Sequence, residues 1–123
     1  MSEGKFATAI NCMDGRTQLP VNDWMKKEYG VDYVDTITEP GPNKILAENN
    51  DVESIKRRVL ISVNRHGSKN IAIVGHHDCT GNPVEKEKQL SHIKNAIKTV
   101  ESWGLDAKVM GLWVDESWLV NRV

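Results

Sequence analysis

The sequence predicts an α/β protein with a mostly parallel central β-sheet flanked by helices. Short apolar runs alternate along the chain with segments of helical periodicity. The length of 123 residues fits one domain that buries its own core. Internal repeats and linkers are absent. Strands and helices that alternate in this way form parallel strands joined by right-handed crossovers, so we expect a single domain over residues 1–123.

The first part of the chain predicts a strand and a helix. Segment 5–11, KFATAIN, is short and apolar, as expected of a strand that is buried on both faces, and Cys12 follows at its carboxyl end. In segment 19–30, four larger apolar side chains share one helical face: Val21, Trp24, Met25 and Tyr29. Gly30 is a residue type that favours the position just after a helix, so the helix should end there.

The next part predicts an edge strand and a crossover helix. Segment 31–38, VDYVDTIT, is rich in Val, Thr and Tyr but more polar, and EPGPN (39–43) breaks it. Four apolar residues then recur at helical spacing: Val52, Ile55, Val59 and Val63. We expect Asn50 or Asp51 to cap this helix and Gly67 to end it.

The second half predicts a strand, a long helix and a last strand. Segment 70–75, NIAIVG, is the second buried strand. Asn82 and Pro83 suit the N-cap and first position of a helix that ends at Gly104. Its apolar face would consist of Leu90, Ile93, Ile97 and Val100. Segment 107–114, AKVMGLWV, predicts the last strand, with a short continuation after a turn.

The charge pattern excludes several classes of partner. The 16 basic and 17 acidic residues give a net charge of −1 and are scattered, so no basic face exists for nucleic acid or an anionic membrane. No apolar run approaches the ~18 residues of a membrane span, and the start of the chain, with Glu3, lacks a signal-peptide core. We therefore expect a cytoplasmic protein without nucleic-acid or membrane partners.

Both cysteines follow a predicted buried strand. Because the carboxyl ends of parallel strands meet at one edge of a sheet, Cys12 should approach His76 and Cys79. A disulfide between the cysteines is possible in principle, but a reducing cytoplasm favours thiolates that bind a metal. The alternative is that each cysteine is a small buried apolar residue.

The ligand types Cys, His and Cys predict a catalytic metal centre. Three protein ligands leave one of the four positions of zinc open, as in catalytic sites, although Co and Fe(II) also tolerate such ligands. A turn can direct His76 and Cys79 at one ion, whereas His77 and Cys79 tend to diverge. We therefore predict Cys12, His76 and Cys79 as ligands, with His77 a loop residue or a hydrogen-bond donor beside them.

Asp14 and Arg16 follow Cys12 closely and suggest chemistry beyond metal binding. Zinc held by two thiolates is formally neutral, so water at the metal gains from a fixed hydrogen-bond acceptor, which Asp14 can provide. Arg16 can hold Asp14 bidentately, keep it ionised and keep it off the metal. The alternative is an ordinary capping acid and a surface cation.

Two motifs carry a family resemblance. CMDGR (12–16) and GHHDC (75–79) resemble the Cys-x-Asp-Ser-Arg and Gly-His-x-x-Cys motifs of the β-class carbonic anhydrases, with Gly15 where Ser is usual. The order of strands and helices is also similar. The resemblance implies a β-carbonic anhydrase-like fold, zinc bound by Cys12, His76 and Cys79, a catalytic dyad of Asp14 and Arg16, and reversible hydration of carbon dioxide to bicarbonate.

The departures from the family pattern keep two alternatives open. The stretch VDTITEPGPN stands where the family has an Arg-Asn-Ala-Gly-Asn-like loop, and a reshaped pocket would suit hydrolysis of carbonyl sulfide or carbon disulfide. In a non-catalytic zinc-binding domain, Asp14 or a partner's side chain would close the fourth position. The first strand begins close to Met1, so we expect a homodimer or higher homo-oligomer formed by the sheet edge or helices rather than by the family's N-terminal arm.

The remaining polar and aromatic residues receive ordinary roles. We expect His66 and His92 to be solvated or capping, and Asp78 to be a turn residue. The tryptophans, including Trp118, should pack in the core or an interface.

Overall fold

The computed structural model describes residues 4–123 and shows a five-stranded sheet in the order β2-β1-β3-β4-β5. The strands are β1 (Phe6–Cys12), β2 (Tyr33–Glu39), β3 (Asn70–His76), β4 (Lys108–Val114) and β5 (Val120–Arg122). The helices are α1 (Gln18–Tyr29), α2 (Pro42–Glu48), α3 (Glu53–Arg65) and α4 (Lys86–Glu101). Strands β1 to β4 are parallel and β5 is antiparallel, which confirms the predicted fold class.

The two faces of the sheet carry separate apolar clusters, which explains the continuous apolar runs of β1 and β3. Ile10, Ile71 and Ile73 point to one face, where they pack with side chains of α2, α3 and α4. Ala72 and Val74 point to the other face, where they pack with side chains that include those of α1. Both faces of the central strands β1 and β3 are therefore covered.

Helix α1 ends as the sequence predicts. Val21 and Met25 are buried, and Gly30 adopts the left-handed conformation at φ 61° that glycine tolerates best. His66 follows α3 as its C-cap, so its capping role is confirmed, and its Nδ1 also lies 2.6 Å from Asp35 Oδ2. The prediction about the start of the chain, including Glu3, falls outside the described residues.

Helix α2 was not predicted, because EPGPN was interpreted only as a break. Pro42 instead occupies the first turn of this helix, where its missing N–H is not needed, and Gly41 precedes it at φ 63°. A Cβ on Gly41 would lie 2.8 Å from the carbonyl carbon of Gly81, so the two loops touch through bare backbone. This contact brings α2 next to the loop that follows β3.

Two predicted helix caps are wrong. The N-cap of α3 is Val52, which follows the predicted caps, and Asp51 instead adopts a left-handed backbone at φ 60°. The N-cap of α4 is Glu85, because the Asn82 side chain is buried and bonds to other side chains instead. Within residues 4–123, no helix is long and apolar enough to cross a membrane.

Candidate metal centre

The carboxyl edge of the sheet brings together Cys12, His76 and Cys79. Cys12 and His76 are the last residues of the adjacent strands β1 and β3. Asp78, at φ 58°, turns the chain so that Cys79 comes back toward them. All three side chains are buried, and their ligand atoms lie within 4.8 Å of one another. The convergence expected from strand topology is therefore present.

The imidazole of His76 is oriented as a ligand. Its Nδ1 lies 2.7 Å from the carbonyl oxygen of His77, and because a carbonyl only accepts, Nδ1 carries the proton. The lone pair is then on Nε2, which is buried and has no hydrogen-bond partner among the described residues. Buried polar atoms are rarely left unpaired, and a ligating histidine typically donates its other N–H in this way.

His77 takes part only through its backbone. Its ring is not in the cluster, its side chain is exposed, and its N–H donates to the carbonyl of Val114 at 2.9 Å. It is thus a loop residue, as expected, but it helps His76 as an acceptor rather than as a side-chain donor.

The two thiols are electrostatically linked. The Sγ atoms of Cys12 and Cys79 are 3.8 Å apart. The hydrogen bond from Cys79 lowers the pKa of Cys12, and the same contact raises the pKa of Cys79. The contact therefore favours the thiolate form of Cys12, and a thiolate is the form of cysteine that binds a metal cation.

The dimensions of the cluster fit zinc. Two sulfur ligands at ~2.3 Å from zinc with a tetrahedral angle between them are about 3.8 Å apart. The measured Sγ to Sγ distance is 3.8 Å. Together with the unpaired Nε2 of His76, this matches a site with three protein ligands.

The guanidinium of Arg16 forms a bidentate ion pair with the carboxylate of Asp14. Its Nε lies 3.1 Å from Oδ1 and its Nη2 lies 2.6 Å from Oδ2. This hydrogen-bonded pairing lowers the pKa of Asp14 to about 2. Asp14 does not belong to the group of side chains in residues 4–123 whose ligand atoms lie within 4.8 Å of one another. Its carboxylate is thus ionised and held by Arg16.

The turn that carries Asp14 is fixed by local hydrogen bonds. The backbone N–H of Arg16 donates to Asp14 Oδ1 at 2.9 Å, and Thr17 Oγ1 donates to the Asp14 carbonyl at 2.8 Å. Gln18 Nε2 donates to the Cys12 carbonyl at 2.7 Å. Aspartate commonly forms turns of this kind, which explains the local fold of CMDGR.

Two further residues complete the surroundings of Arg16. Its guanidinium carbon lies 4.5 Å from the ring centroid of Trp118, and its Nη1 lies 3.4 Å from Asp78 Oδ2. Asp78 is a turn residue, as expected, but also a partner of Arg16. The expectation of a core or interface role for Trp118 missed this contact, and no sequence signal connected the two residues.

A buried amide network lies on another side of the centre. Asn43 Nδ2 donates to Gln89 Oε1 at 2.7 Å, and Gln89 Nε2 donates to the Asn82 carbonyl at 2.8 Å. Asn82 Nδ2 in turn donates to His92 Nδ1 at 2.9 Å, so His92 is a network member rather than a solvated or capping residue. A Cβ on Gly75 would lie 2.8 Å from Gln89 Oε1, which places the network directly beside β3.

One sequence signal could have revealed this network. Gln89 continues the spacing of the buried residues Ile93, Ala96 and Val100 on α4. A polar residue on an apolar helix face requires a buried partner.

The fold and the site together define an α/β protein with a Cys-His-Cys cluster, able to hold a metal ion, at the carboxyl edge of its sheet. Residues 2–123 match the model of the family described as "Putative carbonic anhydrase", and the chain belongs to this family. The resemblance drawn from the two motifs is thereby confirmed.

Solved structures with a similar fold include several carbonic anhydrases. A carbonic anhydrase from Streptococcus mutans aligns with a TM-score of 0.62 at 15% identity, over 95% of this chain and 80% of that one. A tetrameric β-carbonic anhydrase from Sordaria macrospora gives 0.61 at 12%, over 99% and 82%. The β-carbonic anhydrase CafD from Aspergillus fumigatus gives 0.60 at 13%, over 99% and 91%. Comparison with curated proteins finds no match.

Proposed function

We propose that this protein is a zinc-dependent carbonic anhydrase, which converts carbon dioxide and water reversibly into bicarbonate and a proton. The observation that carries the proposal is the pairing of a three-ligand cluster with an ionised carboxylate held beside it. Cys12, His76 and Cys79 form the cluster, and Arg16 holds Asp14. Membership of the carbonic anhydrase family supports the same reaction.

Each residue has a defined task. Cys12, His76 and Cys79 would hold Zn²⁺, which supplies a Lewis acid that makes water a nucleophile near neutral pH. Asp14 offers a carboxylate oxygen that accepts a hydrogen bond from the attacking water and orients it. Arg16 keeps that carboxylate ionised, since it holds the pKa of Asp14 at about 2.

The contacts of Asp14 favour catalysis over a silent zinc site. In a silent site, Asp14 or a partner's side chain would be the fourth ligand. Both carboxylate oxygens of Asp14 instead accept hydrogen bonds from Arg16. This arrangement supports an open fourth position.

The proposal is tested by stopped-flow hydration of carbon dioxide with zinc-loaded protein at about pH 8.5, where water activation by zinc is well developed. We expect Asp14→Asn to lower the rate by about a hundredfold or more, because a positioned acid–base group contributes that much. Asp106→Asn is the control, because Asp106 is exposed and pairs only with Lys69 at 3.3 Å among the described contacts.

Inert wild-type protein with stoichiometric zinc would contradict the proposal. Turnover of carbonyl sulfide or carbon disulfide by the same sample would then identify a sulfur analogue as substrate. No turnover of any of the three molecules would identify a non-catalytic zinc site.

We also propose a homo-oligomer, most simply a dimer. Strand β2 lies at an edge of the sheet, and Tyr33 on it is 54% exposed. An edge strand with exposed apolar side chains favours pairing with a second copy. Sedimentation equilibrium at micromolar concentration tests this, and a monomer would contradict it.

The thiols also support the expected cytoplasmic location. Cys12 and Cys79 are free and function as ligands only when reduced. Fractionation of cells that express the tagged chain tests this, and recovery outside the cytoplasm would contradict it.

A further inference from the structure

Trp118 has an unusual backbone conformation. Its φ is 61°, in the left-handed region that bulky residues rarely adopt. Such an outlier persists only where its surroundings impose it, and outliers of this kind concentrate at functional sites. The surroundings of Trp118 therefore need an explanation.

The loop between β4 and β5 imposes this conformation through Asp115. Asp115 Oδ1 accepts hydrogen bonds from the backbone N–H groups of Ser117 at 2.9 Å and Leu119 at 3.0 Å. Asp115 Oδ2 accepts from Asn121 Nδ2 at 3.0 Å, and the Trp118 N–H donates to the Asp115 carbonyl at 2.9 Å. The backbone that carries the indole ring is thus held by hydrogen bonds on both sides of Trp118.

The ring ends over the guanidinium of Arg16. The guanidinium carbon lies 4.5 Å from the ring centroid, a distance typical of a cation–π contact. One edge of the guanidinium faces Asp14, and the other faces Asp78, whose carbonyl lies 3.2 Å from Nη2. The Trp118 ring thus lies against a face of the guanidinium, whereas the two acidic residues contact its edges.

The contact with Trp118 adds to the ion pairs of Arg16. The Arg16 side chain is 47% exposed, and water and salt weaken exposed ion pairs. The ring of Trp118 also lies 6.2 Å from that of His76. Trp118 is therefore in contact with the charged dyad and close to the metal-ligand cluster, but it touches neither Asp14 nor the cysteines through any described hydrogen bond or ring contact.

We propose that Trp118 is a positioning residue, which fixes the Arg16 guanidinium in its bidentate ion pair with Asp14 and thereby keeps Asp14 from binding the metal. The step from Arg16 to the metal rests on the proposed function. The step from Trp118 to Arg16 does not, because it depends only on the contacts just described.

The first test measures Arg16 directly. In the ¹⁵N-labelled full chain with Zn²⁺ added, NMR gives the rate at which the Arg16 Nε–H exchanges with water. We expect Trp118→Leu to raise this rate about two- to fivefold, the effect of losing a cation–π contact at an exposed site. Trp118→Phe retains an aromatic face and should restore most of the protection. An unchanged rate in Trp118→Leu would overturn the proposal.

A matched control separates this effect from general destabilisation. Trp103 lies after α4, and its ring is 5.9 Å from Lys56 Nζ. Trp103→Leu removes another cation–π contact and should leave the Arg16 exchange rate unchanged. If Trp103→Leu raises that rate as much as Trp118→Leu does, the effect is not specific and the proposal is wrong.

The second test measures the metal ligands with Co²⁺ in place of zinc. We expect Trp118→Leu to change the visible absorption bands, which report the number and type of ligands. Adding Asp14→Asn to Trp118→Leu should give the spectrum of Asp14→Asn alone, as expected for residues that act in series. Identical spectra for wild type and Trp118→Leu would overturn the step to the metal.

The two tests do not depend on turnover. Zinc-loaded wild-type protein that fails to hydrate carbon dioxide would overturn the proposed function, while the Arg16 exchange rates would still decide the role of Trp118. Conversely, unchanged exchange rates in an active enzyme would overturn only the role of Trp118.

Discussion

Two groups of polar residues flank the Cys-His-Cys cluster, and they differ in charge and in exposure to solvent. The charged flank consists of Asp14, Arg16, Asp78 and Trp118, of which Arg16 and Asp78 are exposed and the other two are partly buried. The amide flank consists of Asn43, Asn82, Gln89 and His92, and three of these side chains are at least 99% buried. Contacts in the charged flank are screened by water, whereas most hydrogen bonds in the amide flank lie in a buried environment of low dielectric constant.

The difference separates reactivity from stability. Substitutions in the charged flank should change the free energy of unfolding only a little. This flank nevertheless keeps the Asp14 carboxylate ionised. The amide flank contains no carboxylate, but it joins α2, α4 and the loop that carries Cys79. We therefore expect substitutions in the amide flank to lower mainly stability and substitutions in the charged flank to lower mainly activity. The expected effects on stability decrease in the following order.

The largest effect on stability should come from Gln89→Leu in the amide flank. This change leaves Asn43 Nδ2 and the Asn82 carbonyl without the hydrogen bonds that Gln89 provides. Each unsatisfied buried group costs about 1–3 kcal/mol, so we expect a loss of about 2–6 kcal/mol for the two groups. Urea denaturation measures the loss. A loss below about 1 kcal/mol would show that water enters and replaces the missing partners.

Arg16→Ala should show the opposite behaviour. Its ion pair with Asp14 is exposed, so we expect the free energy of unfolding to change by less than about 1 kcal/mol. Residues that orient a metal site typically change activity by about 10–100-fold, and hydration should fall to this extent. Lys69→Ala removes an exposed partner of Asp106 and is the control for both measurements. A large loss of stability with full activity in Arg16→Ala would contradict the expected difference between the two flanks.

The two flanks should also respond to different pH ranges. Burial lowers the pKa of His92 from 6.5, so the unfolded chain binds this proton more readily, and stability is lost as the pH falls below about 6.5. Arg16 lowers the pKa of Asp14 from 3.8 to about 2, so its contribution is lost only as the pH falls from about 4 to 2. Urea midpoints across this range, for wild type, His92→Gln and Asp14→Asn, measure both. Equal pH profiles in all three proteins would contradict this assignment.

The smallest effect should come from Gly15→Ser, which restores the residue usual in the β-class motif. A Cβ on Gly15 meets no atom within 4 Å, and its φ lies outside the left-handed region. We expect a stability change within about 0.5 kcal/mol, as for ordinary surface positions, and retained hydration. Thermal denaturation and the stopped-flow assay check this. A marked loss would mean that the turn depends on a feature of glycine other than space.

The sequence predicted best what depends on local pattern. The buried strands β1 and β3 appear as unbroken apolar runs, and parallel topology alone places Cys12 beside His76. The dyad lies within a few residues of Cys12, so its geometry follows from a short turn. These features follow from short segments of sequence and from the parallel topology that alternating strands and helices predict.

Features that depend on tertiary contacts were missed. Asparagine is a residue type that favours the N-cap of a helix, but Asn82 is buried and its side chain donates to His92 instead. Helix α2 is a short segment that follows a left-handed glycine, and its Pro42 was interpreted as a break. Trp118 reaches Arg16 only because a distant loop adopts a left-handed backbone, which no periodicity encodes.

The backbone contact between Gly41 and Gly81 has a practical consequence for protein engineering. A Cβ on Gly81 would lie 2.4 Å from the carbonyl carbon of Pro40, and one on Gly41 would lie 2.8 Å from that of Gly81. No side chain fits at either position without moving a main chain. A combinatorial library that diversifies the rim of this centre should therefore keep both glycines constant and place its variation at exposed positions such as Met13 and Leu119.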